Sequence, residues 1–394
     1  RTAALRHRLT FQELKRISEV ARDLEMWGGE SFSEVWNRLE ADCPPEFEGP
    51  SRKKKLFDLL DGCLKNLRSR PKIYPREPLR EVPPRKIRLE IQRTPRKIHG
   101  YCPVSSPKTV CCQLRTIDVV TNCAYDCRYC TIQTFYGEKA VVDRDLREKL
   151  AAIKLVPGRF YHFGTGQSSD SLLWGNCHGM LDALGEFAAT HPNILLELKT
   201  KSANVGYFLD HPVPKNVVCS WTFNTDTIIR HEERGTAALS DRIDAARRVA
   251  DRGVKVAFHF HPIVYYQGWN VDYVALVRRV VDRFSPGEVL FVSFGSVTLI
   301  KPVIRKIRER GGYTKILQMD MVPDPHGKLT YPSDVKHKLF QTVYEAFSPW
   351  HGRVYMYLCM EHRDYWDRLF GWHYPTNDDF EADFGKKVMP KLNA

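Results

Sequence analysis

Apolar positions fall into two rhythms along this chain, and the change between them divides it. Over the first seventy residues the spacing is helical. Thr10 and Glu13 form a capping box, and Leu14, Ile17, Ala21 and Leu24 follow on one face until Gly28-Gly29. Ser33 to Leu39 reads as a short second helix. Ser51 to Arg70 reads as a third, with Leu56, Leu59, Leu60, Cys63, Leu64 and Leu67 on one side. Residues 71–110 break the pattern with eight prolines, which forbid a regular element and predict an extended linker.

From Arg115 onward, short β-rich runs alternate with helical ones. Strands are predicted at Thr116–Val120, Arg159–Phe163, Ile194–Thr200, Val217–Thr222, Val254–Phe260 and Val289–Phe294. Helices are predicted near 145–156, 174–190, 238–252, 272–284 and 300–310. Ile316–Met319 and Val354–Leu358 read as later strands. Six βα units in series imply an α/β fold with a parallel sheet, curled into a partial (β/α)6 TIM-type barrel, and chemistry at the strands' C-terminal ends. A flat doubly wound sheet is the alternative. The predicted units are a helical extension over 1–70, a basic proline-rich linker over 71–114, the barrel over 115–312 and a strand/helix extension over 313–394.

Charge sharpens this division. Of the net +13, residues 51–100 alone carry +11. An acidic polymer is the natural partner of such a segment, and DNA or RNA fits it better than a solvated linker does. Lys53, Lys54 and Lys55 open the third predicted helix, where they oppose its dipole, so they are candidates for phosphate contact. No apolar run reaches the length of a membrane span, and the first ten residues lack a secretory pattern. Eleven cysteines in a chain this long suit a reducing, cytoplasmic setting with some thiols as metal ligands.

The metal-ligand candidates are Cys123, Cys127 and Cys130, a C-x3-C-x2-C triplet directly after the first barrel strand. Three thiolates on one loop can cap three irons of a [4Fe–4S] cube and leave the fourth open to a chelating substrate. A zinc site would normally show paired C-x2-C units. Cys102, Cys111 and Cys112 hint at a second metal site but lack a clear fourth ligand.

This triplet in a βα series resembles the radical S-adenosylmethionine superfamily, and the stretch Asn122–Thr134 resembles the cluster loop of spore photoproduct lyases. So do Gly164–Ser171, Glu197–Asn204, Ser220–Asn224, His259–Ile263 with Gly268, Trp269 and Tyr273, and Leu358–Glu361 with Trp366. The likeness runs over about residues 115–371. It implies a [4Fe–4S] cluster, S-adenosyl-L-methionine cleaved to a 5′-deoxyadenosyl radical, and a one-electron donor such as flavodoxin or ferredoxin. It places Gly164, Thr165, Gly166, Lys201, Ser202, Ser220 and Asn224 towards the cofactor, and Tyr129 between the cluster ligands. His259 and His261 alternate on one strand, so they share a face and approach the substrate if that face is the lumen.

Two positions depart from the family. The cysteine that returns a hydrogen atom to the product radical is Gln167 here, and the tyrosine after the last cluster cysteine is Thr131. Cys177, ten residues beyond Gln167, is the nearest substitute donor. The resemblance therefore implies a lyase or isomerase acting on a thymine-derived lesion or modified thymine in DNA. The rivals are an enzyme building hypermodified thymine, a radical enzyme on a peptide or small molecule, and a DNA-binding protein with a vestigial cluster.

Overall fold

The computed structural model describes residues 7–77, 85–102, 106–135 and 137–393. Its centre is an eight-stranded sheet: β1 (His99–Tyr101), β2 (Arg115–Ile117), β3 (Tyr161–Thr165), β4 (Ile194–Thr200), β5 (Val217–Thr222), β6 (Val256–Ile263), β7 (Val289–Ser296) and β8 (Tyr355–Leu358). Neighbours in the chain are neighbours in the sheet. β1 runs antiparallel to β2, and every other pairing is parallel. β5 and β7 are buried along their whole length, as expected of parallel strands covered on both faces. The sheet curls until its ends approach, and Val110 upstream of β2 bridges Glu361 beyond β8. The partial barrel predicted from the sequence is the observed architecture, with β8 as a seventh parallel strand.

Helices after β3 (Met180–Thr190), β5 (Leu239–Asp251), β6 (Trp269–Arg283) and β7 (Lys301–Arg310) cover the outside. Leu239–Asp251 shows the principle: Ile243, Ala245, Ala246, Val249 and Ala250 form its buried stripe. The C-termini of the parallel strands β2 to β8 emerge on one rim, which is where the cysteine loop follows β2.

Three helices precede the barrel: α1 (Phe11–Trp27), α2 (Phe32–Asp42) and α3 (Gly49–Ser69). Thr10/Glu13 and Ser31/Glu34 both form reciprocal capping boxes. Trp27, Trp36, Leu56, Phe57, Leu60 and Leu64 bury a core between them. This unit docks on the barrel's last helix, where Arg308 grips Asp23 at 2.7 and 2.8 Å. Arg308 and Arg310 on this helix are thus ion-paired, to Asp23 and Asp126.

The linker also departs from expectation. Arg88–Gln92 pairs in parallel with Lys139–Asp143, and β1 is itself part of the main sheet. The prolines outside the strands leave those two runs free to pair at sheet edges; Pro78, Pro83, Pro84 and Pro103 lie outside the described residues. Ile316–Met319 forms no strand, being held by turn contacts such as Gln318 N–H to Lys315 O at 2.9 Å. No described helix is long and apolar enough to cross a membrane.

Candidate radical site at the barrel rim

Asn122 sets the cysteine loop. Its backbone is left-handed (φ 69°), a conformation Asn tolerates. Its amide donates to the Gly137 and Lys139 carbonyls, both at 2.8 Å, while its Oδ1 accepts from Cys123 N–H at 3.0 Å. Asp126–Cys127 then pairs antiparallel with Glu233–Arg234, and Arg128 N–H donates to Glu232 O at 2.8 Å. Asp126 is gripped by Arg310, with Arg234 at 3.8 Å. Against the burial that would raise it, the Arg128, Arg310 and Arg234 charges hold its carboxyl below the usual range.

The three thiols share a small buried cluster with Tyr125, Ile132 and Tyr129. Burial pushes Cys123 up to about 12 and also raises Cys127 and Cys130, with Cys130 adding to the cost at Cys123 and both Cys123 and Cys130 adding to it at Cys127. Thiolates here therefore demand compensating positive charge. Lys201 is near enough to lower both Cys127 and Cys130. Its ammonium lies over the Tyr129 ring, 5.9 Å from the centroid, with no hydrogen-bond or ion-pair partner among the described residues. Among those residues no three such ligands converge on a point that one ion could fill. Three soft thiolates gathered on one loop are the donor set an iron–sulfur cluster takes.

Tyr129 is fixed from behind. Its hydroxyl donates to Glu233, which is paired with Arg242 at 2.7 Å, both fully buried. Asn224 joins the same group, and both its amide hydrogens and both oxygen lone pairs are used, on Glu233, Pro262 O, Thr225 N–H and Tyr273. It therefore braces the rim and has nothing left for a cofactor, contrary to the sequence expectation. Ser202 likewise serves its own loop and receives Trp221 at its carbonyl. Thr165 bonds Ser171, and Gly164 packs on Leu114. At Gly166 (φ 97°) a Cβ would meet Lys199 O at 2.8 Å, so only glycine fits. Asp170, part of the family-like stretch but given no role by the sequence, ties this loop to the end of β4 through Thr200 and Lys201 N–H, both at 2.7 Å.

Inside the barrel, below the rim, lies a polar group that sequence reading found only in part. Glu197 on β4 accepts from His162 (2.9 Å), His259 and Ser220 (both 2.5 Å). His259 continues to Ser293 at 2.5 Å, and Ser293 to His261 at 3.2 Å. Ser220 therefore sits in this floor, bonded to Glu197 and 0% exposed, not at the cofactor rim. Against full burial, His259 and His162 hold Glu197 well below the carboxylate range. Burial pushes His259 down to about 4, with the Lys199 charge adding to it. His259 and His261 share one face of β6, as their period of two predicts, and both bond Ser293.

Cys177 lies in a short turn (Cys177–Gly179) against the main core, and no interaction among the described residues ties it to the cysteine loop. Cys359, just beyond β8, is electrostatically coupled to Cys102, Cys111 and Cys112, so a fourth thiol does join that trio. α3 begins at Gly49, which moves Lys53–Lys55 off the first turn. Lys53 pairs with Glu13 at 3.1 Å and Lys55 lies over Phe47, leaving Lys54 exposed.

Residues 111–324 match the family described as spore photoproduct lyase. The chain is 24% identical over 201 residues to the spore photoproduct lyase of Clostridium acetobutylicum, covering 48% of this chain and 59% of that one. It is 27% identical over 244 residues to that of Bacillus subtilis, covering 58% and 70%. It spans about three-fifths of the Clostridium and Geobacillus relatives. Among solved structures it resembles a spore photoproduct lyase variant with bound AdoMet and dinucleoside spore photoproduct (TM-score 0.59, 21% identity, 68% of this chain and 81% of that one). It also resembles a spore photoproduct lyase complexed with dinucleoside spore photoproduct (TM-score 0.58, 23% identity, 68% and 82%). With more than half its length matched and the cysteine loop inside the match, this chain belongs to the spore photoproduct lyase family.

Proposed function

We propose that this chain is a radical S-adenosylmethionine enzyme that acts on a thymine-derived lesion or modified thymine in DNA, as a carbon–carbon lyase or an isomerase. The observation that carries the reading is the set of three buried thiols on the C-terminal rim, inside the family match, with Lys201 beside them. Cys123, Cys127 and Cys130 would hold a [4Fe–4S] cluster, and Lys201 would meet the carboxylate of S-adenosylmethionine. When bound, the pair supplies abstraction of a hydrogen atom from an unactivated carbon. The chain's own part is positional. Glu233, Arg242 and Asn224 fix Tyr129 between two ligands, and the Asp126–Arg310 pair anchors the loop. The barrel walls exclude water from the lumen, and the target base must leave its stack to enter. The basic segment 51–100 would hold the phosphates.

Gln167 favours a second reading. It stands half-buried at the rim directly after Gly166, where the family's hydrogen-returning cysteine belongs. Glutamine does not readily donate a hydrogen atom, so an enzyme ending in a modified thymine fits this rim as well as a repair lyase. The test is an anaerobic reaction of the reconstituted protein with S-adenosylmethionine, a reductant and DNA carrying thymine, or its lesion, deuterated at every carbon-bound position of the base. Deuterium is expected in 5′-deoxyadenosine, and the DNA product separates repair from modification. 5′-Deoxyadenosine that never acquires deuterium from any thymine-containing DNA would sink the thymine reading.

A further inference from the structure

The buried floor has a determinate hydrogen assignment, and this fixes what it shows to the lumen. Glu197 is an acceptor only, so His162 and His259 both donate to it through Nε2–H. His259 is neutral, since burial holds it at about 4. Its Nδ1 is therefore a lone pair, and it must take the single hydroxyl hydrogen of Ser293. Ser293 then has only acceptor capacity left for His261, so His261 donates through Nε2–H. The other ring nitrogen of His261, Nδ1, is left as a lone pair. It has no partner among the described residues and is not sealed off, because the ring is half-buried where its neighbours are fully so. Gly295 keeps the ring there: a Cβ at that position would lie 3.2 Å from Nε2.

Lys199 stands beside this acceptor. It shares a face of β4 with Glu197 and stands opposite Ser220 of the same floor in the sheet register, and its charge lowers both His259 and His261. It is half-buried and its ammonium has no hydrogen-bond or ion-pair partner among the described residues. The lumen thus offers one acceptor with one donor next to it, on a floor too rigidly bonded to exchange them.

We propose that His261 Nδ1 and Lys199 Nζ read the imide edge of a thymine-type base, Nδ1 accepting from N3–H and Nζ donating to the O4 carbonyl oxygen. This rests on the reading above, that such a base enters the barrel. The pair matches any pyrimidine-2,4-dione, saturated at C5–C6 or not, because the imide is unchanged by chemistry at C5. Cytosine is mismatched twice: its N3 lone pair faces Nδ1 and its amino group faces the ammonium. Each unpaired group in a desolvated site should weaken binding ~10-fold or more. Lys199 and His261 are in this sense specificity determinants, separate from the cysteine loop.

The test is equilibrium binding of the anaerobically reconstituted protein to three single-stranded probes of equal length: oligothymidylate, oligodeoxycytidylate and an oligomer of N3-methylthymine. Oligothymidylate should bind ~10-fold or more tightly than either of the others. Lys199→Met and His261→Asn should each lower the oligothymidylate-to-oligodeoxycytidylate ratio ~10-fold, chiefly by weakening oligothymidylate, while iron content stays at the parent level. A general loss of folding would instead lower all three probes together. Lys199→Met guards against that outcome, since it breaks no bond within the floor. If both variants keep the parent's preference for thymine, the imide pair is wrong and the thymine reading survives. Should the parent bind oligothymidylate no better than oligodeoxycytidylate, the pair falls. If the deuterium experiment also fails, the thymine reading falls with it.

Discussion

The cysteine loop occupies residues 123–130 in one run, whereas the lumen floor takes one or two side chains from each of five strands, β3 to β7. The loop stands on the rim and is anchored from outside, by Arg310 on Asp126 and by the short pairing with Glu233–Arg234. The floor is enclosed: His162, Glu197, Ser220, His259 and Ser293 are at most 4% exposed. Chemistry placed on a loop can be lost without losing the barrel. Polar groups placed in a core cannot, because each one that loses its partner remains buried.

The largest effect separates these two cases. Cys127→Ala should abolish iron loading and 5′-deoxyadenosine formation while the far-ultraviolet circular dichroism and melting of the barrel change little. A variant with full iron–sulfur absorbance would remove Cys127 from the ligand set. A variant that fails to fold would show that loop and barrel are not independent, and the comparison would collapse.

The floor should behave in the opposite way. Glu197→Ala leaves three buried donors without their acceptor, and breaking such a group costs about 3–5 kcal/mol. The same region should make the protein acid-sensitive. His259 takes up its proton at about 4 in the folded state, against an ordinary 6.5. Its contribution is complete above 6.5 and is lost as pH falls from 6.5 towards 4, by about 3 kcal/mol at most. Glu197, held below its ordinary 4.5, adds a loss in the same direction at lower pH. Chemical denaturation at a series of pH values should show this decline. His259→Gln should flatten it between 6.5 and 4, and an equally steep decline in that variant would move the acid sensitivity elsewhere.

The two regions also differed in legibility. Cys123, Cys127 and Cys130 could be read because ligand spacing on one loop survives folding unchanged. β4 and β5 were read to the residue, since buried parallel strands are continuous apolar runs. His259 and His261 were seen through their period of two, yet their partners His162, Glu197 and Ser293 lie 97, 62 and 34 residues from His259, and only the sheet brings them together. Asn224 and Ser220 were placed at the cofactor because they end a strand or sit near its end. The pattern does not reveal that their hydrogen bonds are already spent. The strands within the proline-rich linker escaped because edge pairing needs no apolar alternation.

The smallest expected effect lies outside both regions and acts as their control. By sequence the lysine run opposes a helix dipole and predicts a footprint for phosphates. In the structure α3 starts at Gly49, so the run lies in the second turn, and two of its three members have partners. Lys54 alone is exposed and unengaged, so Lys54→Gln tests the DNA contact without disturbing packing. If Lys54 meets one phosphate, the slope of log K against log salt should become shallower by roughly 0.7–0.9. Cofactor cleavage without DNA should be untouched, because Lys54 contacts neither rim nor floor. Neutralising all three lysines should add little to the slope change, but should cost some stability through the lost Lys53–Glu13 pair. An unchanged slope in Lys54→Gln would clear this run of any part in binding. The phosphate contacts would then have to come from the other arginines and lysines of 51–100, several of which flank the strand that pairs beside the cysteine loop.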